Sequence, residues 1–166
     1  LQTFAPEEQM ARKTHAHSMI LSRRVPKPRG PGVHAVRVDA PGPALYVAQL
    51  LPLEPPLGKM CPGPIRKQAD VVFAALRQVV VEAGFTLDQV VRITLYVTTL
   101  KHMDIIDELY TKLFFTLAQP ARTVLVVAGL AEDALIAVDA VAIKPQEPQA
   151  ALPAPGANDM ADEEMY

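Results

Sequence analysis

Proline is the residue that most restricts this chain. Of its sixteen prolines, eleven lie between Pro6 and Pro64 and four between Pro145 and Pro155, leaving only Pro120 in the stretch 65–144. Proline lacks a backbone donor and fixes φ, so helix interiors and central strands accept it poorly. The hydrogen-bonded body is therefore expected to be densest after Ile65, behind a turn-rich approach and ahead of an irregular tail. The 166 residues make one domain's worth of chain, enough to bury a core. A composition that is 50% hydrophobic and 20% charged excludes wholesale disorder and a fibrous protein. No apolar run reaches the ~20 residues that span a bilayer, so no membrane partner is expected.

Charge is distributed as unevenly as proline. Residues 1–29 carry six basic side chains (Arg12, Lys13, Arg23, Arg24, Lys27, Arg29) against Glu7 and Glu8, whereas 145–166 carry five acids and no base. The intervening 30–144 are nearly neutral. The expected organisation is a basic N-terminal extension (1–29), a folded domain (30–144) and an acidic, proline-rich C-terminal tail (145–166). Such ends serve as solvated tails or as contacts for protein or RNA partners. The body shows no recognisable nucleic-acid-binding motif. Ala11–Arg29, arginine-bearing and free of acids, suits the remnant of an organelle-targeting leader, giving a mitochondrial location with a cytoplasmic one as the alternative.

The lone Cys61 excludes an internal disulfide and a cysteine-based zinc site. It sits in a Pro/Gly turn and is expected to be an inert thiol. His15 and His17 have an HxH spacing, but His34 and His102 lie far off in the sequence, so neither metal nor cofactor is expected.

Val33–Asp39 alternates and is followed by the turn signal Ala40–Pro43 and the apolar run Ala44–Leu51, which together predict a hairpin. Pro52–Pro64 reads as a loop. From Ile65 to Ala83, apolar residues at 65, 69, 72, 73, 76, 79, 80 and 83 predict an amphipathic helix closed by Gly84. Thr86–Gln89 forms a small capping box ahead of the strand Val90–Val97. A second helix is expected over about Lys101–Leu117, with Ile105, Ile106, Leu109, Leu113 and Phe114 inward. Ala121–Ala128 and Leu135–Ile143 are expected to form a closing hairpin. The order ββαβαββ predicts an α+β fold with two helices on one face of a mixed sheet. The last strands are apolar on both faces, so the uncovered sheet face should be a subunit interface.

Within these strands Arg92, Arg122 and Asp139 are the ionisable groups that stand out. A guanidinium is costly to bury, so Arg122 must be paired or face a pocket. Its fork suits bidentate carboxylate binding, and a salt bridge to Asp139 or to a helix acid is the structural alternative.

The segments Gly84–Val91, Arg92–Val97, Phe114-Phe115, Pro120-Ala121-Arg122-Thr123 and Ile136–Ala142 resemble the RidA (YjgF, reactive intermediate deaminase) family, over roughly Pro28–Lys144. The resemblance implies a homotrimer whose sheets form a central barrel, with pockets at the subunit interfaces. It also implies hydrolysis of 2-aminoacrylate-type enamines and imines to 2-keto acids and ammonia. The family's carboxylate-gripping arginine falls on Arg122. Where active members place the glutamate that positions the attacking water, this chain has Ala137, and Asp139 is two residues further along the strand. The family's pocket tyrosine falls on Gly32, its pocket serine on Ala48, and the glycine after it on Gln49.

Losing a general acid/base group typically costs 10²–10⁴-fold. The expectation is a divergent member with weak or absent deaminase activity and no confident catalytic residue. It would act as a trimerising scaffold in a larger assembly such as a mitochondrial ribosome or ribonucleoprotein. The alternative is an imine deaminase or small-carboxylate binder that uses Arg122. RNA cleavage, which older family names suggest, finds no His/Lys/Glu cluster to carry it.

Overall fold

A computed structural model describes residues 17–39, 41–115 and 118–146. His15, the basic residues Arg12 and Lys13, and all five acids of the tail lie outside the described residues.

The main sheet has four strands: β3 (Pro41–Leu50), β6 (Val90–Val97), β7 (Ala121–Val126) and β8 (Ile136–Pro145), ordered β3-β8-β6-β7. β8 runs antiparallel to both neighbours, and β6 and β7 are parallel. Two small antiparallel ribbons flank the sheet, β1 (His17–Ile20) with β2 (Ala35–Val38), and β4 (Leu53–Glu54) with β5 (Lys59–Met60). The helices are α1 (Ile65–Glu82) and α2 (Met103–Leu113). The α+β class and the mixed sheet are as expected.

α1 follows its apolar spacing. Ile65, Ala69, Val72, Phe73, Leu76 and Val80 are buried, and Gly84 ends the helix at φ +76, a conformation that favours glycine. The capping box closes on both sides: the Thr86 side chain accepts from the Gln89 amide, and the Thr86 N–H donates to Gln89 Oε1 at 3.0 Å. Core-facing Ile93, Leu95 and Val97 of β6 meet Ile136, Val138, Ala140 and Ala142 of β8 beneath the helices.

The pairing corrects two expectations. β2 does not form a hairpin with β3; it pairs with β1, and β3 pairs with β8. Pro41 and Pro43 lack the N–H donors that a ladder would need at that end, while the His34 amide donates to the Ile20 carbonyl. Nor do β7 and β8 form a closing hairpin, because β6 lies between them. β6 and β7 are joined through α2, the kind of crossover that parallel strands require, and β8 sits centrally, as its apolarity on both faces allows. The loop 52–64 contains the β4–β5 ribbon. The stretch expected as an N-terminal extension contributes β1 from His17 onward.

α2 is shorter than expected, preceded by a 3₁₀ turn at Leu100–His102 and ending at Leu113. Its largest fully buried residue, Tyr110, was not among the predicted inward positions, while Ile105 and Leu113 are only partly buried. Arg66 of α1 and Lys112 of α2 both hold Glu108, each at 2.6 Å, tying the two helices together at the surface.

Candidate functional site

Arg122 sits at the start of β7, an edge strand, opposite Ile93 of the core face, and points toward the helix layer. Its side chain is only 5% exposed. Nη1 donates to Oδ1 of Asp107 on α2 at 2.5 Å, and Nη2 reaches the Arg29 carbonyl at 3.5 Å. The guanidinium carbon lies 5.0 Å from the centroid of the Tyr110 ring, a cation–π arrangement. Of the two ion pairs open to Arg122 in the sequence, the helix acid is the one formed.

The segment 29–32 fits closely over this pair. A Cβ on Gly30 would stand 2.5 Å from Arg122 Nη2 and 2.7 Å from Asp107 Oδ2, so a side chain there would collide with the ion pair. Gly32 also lies against Arg122, its Cβ position 3.6 Å from the arginine Cβ. Below them the Tyr110 hydroxyl is buried without a hydrogen-bond partner among the described residues, and burial pushes its ionisation well above the ordinary phenol range.

The other predicted site residues lie elsewhere. Ala137 and Asp139 are on the sheet face turned away from the helices, cross-strand from Tyr96 and Thr94 respectively. Asp139 accepts a 2.6 Å hydrogen bond from the Tyr96 hydroxyl, which holds that phenol above its ordinary value. Ala48 is exposed in the register shift between Val47 and Leu50 of β3, at the edge of the sheet opposite Arg122. Within one chain, then, Gly32 and Arg122 come together, and Ala48, Ala137 and Asp139 do not join them.

Asp107 and Tyr110 escaped the sequence reading. Their spacing to Phe114, i, i+3 and i+7, was the available signal: a helical stripe that mixes an acid with two aromatics. Cys61 is fully buried, and burial pushes its thiol up, away from the reactive thiolate. Among the described residues no group of three His, Cys, Asp or Glu side chains is placed to hold a metal, and no helix is long and apolar enough to cross a membrane.

The comparisons agree with this architecture. A family model described as Endoribonuclease L-PSP matches residues 22–144. A RutC family protein of Pyrococcus abyssi is 33% identical over 129 residues, covering 78% of this chain and 98% of its own. The mouse protein named 2-iminobutanoate/2-iminopropanoate deaminase is 26% identical, covering 76% of this chain and 90% of its own. The crystal structure of Escherichia coli TdcF with bound serine matches with a TM-score of 0.58 at 25% identity, covering 76% of this chain and 98% of that one. The family model spans most of the chain and almost the whole of each relative is matched: the chain belongs to the RidA/YjgF, or endoribonuclease L-PSP, family.

Proposed function

We propose that this chain is an assembling RidA-family subunit, a homotrimer in the manner the resemblance implies, whose imine-deaminase chemistry is weak or lost. The observation that carries this reading is the state of Arg122. The one retained polar group of the implied pocket is neutralised by Asp107 and covered by the Gly30 backbone. No carboxylate stands at position 137 to direct a water. A carboxylate held equally in ground and transition states would gain no rate in any case. The separation of Ala48 from Arg122 on opposite sheet edges also supports assembly, since a pocket containing both would have to draw on more than one copy. The basic arm and acidic tail would then contact protein or RNA components of a larger assembly.

Native mass spectrometry with and without ribonuclease, beside an ammonia-release assay on 2-iminopropanoate generated in situ, tests the proposal. A trimer whose ammonia release does not exceed that of Arg122→Ala is expected. Release comparable to an active relative, and abolished in Arg122→Ala, would overturn the loss of chemistry.

A second reading, a small-carboxylate binder or imine deaminase, takes its support from the mouse relative's name and the serine bound to TdcF. In that case an incoming carboxylate must displace Asp107. Asp107→Asn removes the competing charge while keeping the side-chain shape, so it should tighten carboxylate binding at least tenfold if Arg122 is the anchor.

A further inference from the structure

A groove of about 360 Å³ lies on the outer side of the helix layer, bounded by Arg77 and Val81 of α1, the turn Thr86–Asp88, and Lys112, Leu113 and Phe115 at the end of α2. Its walls hold two large apolar side chains that stand well exposed, Phe115 at 78% and Val81 at 57%. Its rim is mainly cationic. Arg77 makes no ion pair among the described residues, Lys112 is paired with Glu108, and Asp88 is the acid among the lining residues. Apolar walls with a basic rim suit an acidic segment that also carries large hydrophobic side chains.

We propose that the occupant is this chain's own C-terminal segment, Asp159–Tyr166 (DMADEEMY). It combines Asp159, Asp162, Glu163 and Glu164 with Met160, Met165 and Tyr166 and has no basic residue. The last described residues also lie near the groove: Lys144, near the end of β8, places Nζ 4.7 Å from the centroid of the Phe85 ring, and Phe85 directly precedes the Thr86 lip. At about 3.3 Å per extended residue, residues 147–158 reach up to about 40 Å. Tethering turns docking into an intramolecular event with an effective concentration of order millimolar, so modest contacts suffice to fill the groove. This inference does not depend on whether the protein retains catalysis. It assigns the tail a resting place from which an outside partner would have to displace it.

The test uses the full chain with a photo-crosslinking phenylalanine analogue in place of Tyr166, prepared as an equal mixture of light and isotope-labelled protein. Crosslinks are expected within single chains, to peptides containing Val81–Asp88 or Lys112–Phe115. They should fall at least fivefold in Arg77→Glu and in 0.5 M salt. Reversing the tail as well, with Asp162→Lys, Glu163→Lys and Glu164→Lys, should restore them in the Arg77→Glu background. The tail variant alone should lose them as well. Crosslinks spread over the surface, joining light to heavy chains, or indifferent to both charge reversals would overturn the proposal.

Discussion

The two faces of the four-stranded sheet are built to different rules. Toward the helices, Ile93, Leu95, Ile136 and Val138 are fully buried, and α1 and α2 supply Leu76, Ile106 and Tyr110 to meet them. On the other face the same strands present Thr94, Tyr96, Ala137 and Asp139, and the flanking strands add Tyr46, 78% exposed, and Leu125, 45% exposed. The first face is completed by its own chain. The second mixes a satisfied polar pair with exposed large side chains, as a surface does when part of it is reserved for contact. Stability should therefore reside on one face and association on the other.

One position on each face offers the sharpest test. Leu95→Ala should cost ~2–5 kcal/mol in chemical denaturation, because it removes a fully buried side chain and leaves a cavity. Tyr46→Ala should shift folding stability by no more than ~0.5 kcal/mol, because most of that ring is exposed, while lowering the oligomeric mass. Equal losses of folding stability at the two positions would break the comparison.

Arg122 is the polar exception on the helix-covered side. Breaking a buried ion pair by removing one partner typically costs ~3–5 kcal/mol. Asp107 keeps 26% of its side chain exposed, so solvent screening should bring the cost of Arg122→Met toward ~2–3 kcal/mol. Adding Asp107→Leu should recover much of that loss, since no carboxylate is then left unpaired beneath Gly30. A double variant no more stable than Arg122→Met alone would show that the pair is not what the substitution breaks.

This contrast also marks how far the residues alone could lead. α1, the capping box and β6 were legible because period and chain-local chemistry determine them: apolar residues at helical spacing, a threonine three before a glutamine, alternation through Ile93 and Leu95. Strand partners were not, because turn signals around Pro41–Pro43 and Gly129 locate strand ends without saying what lies alongside. The insertion of β6 between β7 and β8 depends on the α2 crossover, a tertiary fact. The site divided the same way. The sequence required Arg122 to have a partner or a pocket, but its choice of Asp107 over Asp139 depends on which sheet face it occupies, and that follows from its register with Ile93. The family's pocket positions could be laid onto Gly32, Ala48 and Ala137, yet their distribution over two faces and two edges could not be read before the strand order was known.

A smaller effect probes the far face. Tyr96→Phe deletes the hydroxyl that donates to Asp139 and should cost about 1 kcal/mol, less than the ~1.5–3 kcal/mol typical of a bond to a charged acceptor because both groups are partly exposed. The same bond holds the Tyr96 phenol above its ordinary value, so Asp139→Asn should bring one tyrosine titration back toward 10 in an ultraviolet pH titration. An unchanged titration would mean that the pair does not persist in solution.

The smallest expected effect concerns what keeps the helix layer over the covered face. Arg66 and Lys112 lower the Glu108 carboxyl from its usual 4.5 to about 2. A carboxyl that binds its proton less readily in the folded than in the unfolded chain stabilises the fold above the unfolded value and loses that contribution as pH falls through the folded one. The Glu108 contribution should thus be complete above about pH 4.5 and fade between there and about pH 2. All three groups are around half exposed, so the change should be slight and should shrink further in high salt. Melting temperatures of wild type and Glu108→Gln, measured from pH 7 to pH 2, should differ at neutral pH and converge toward the acid end. Curves that stay parallel throughout would mean that apolar burial alone, and not this bridge, holds α2 against α1.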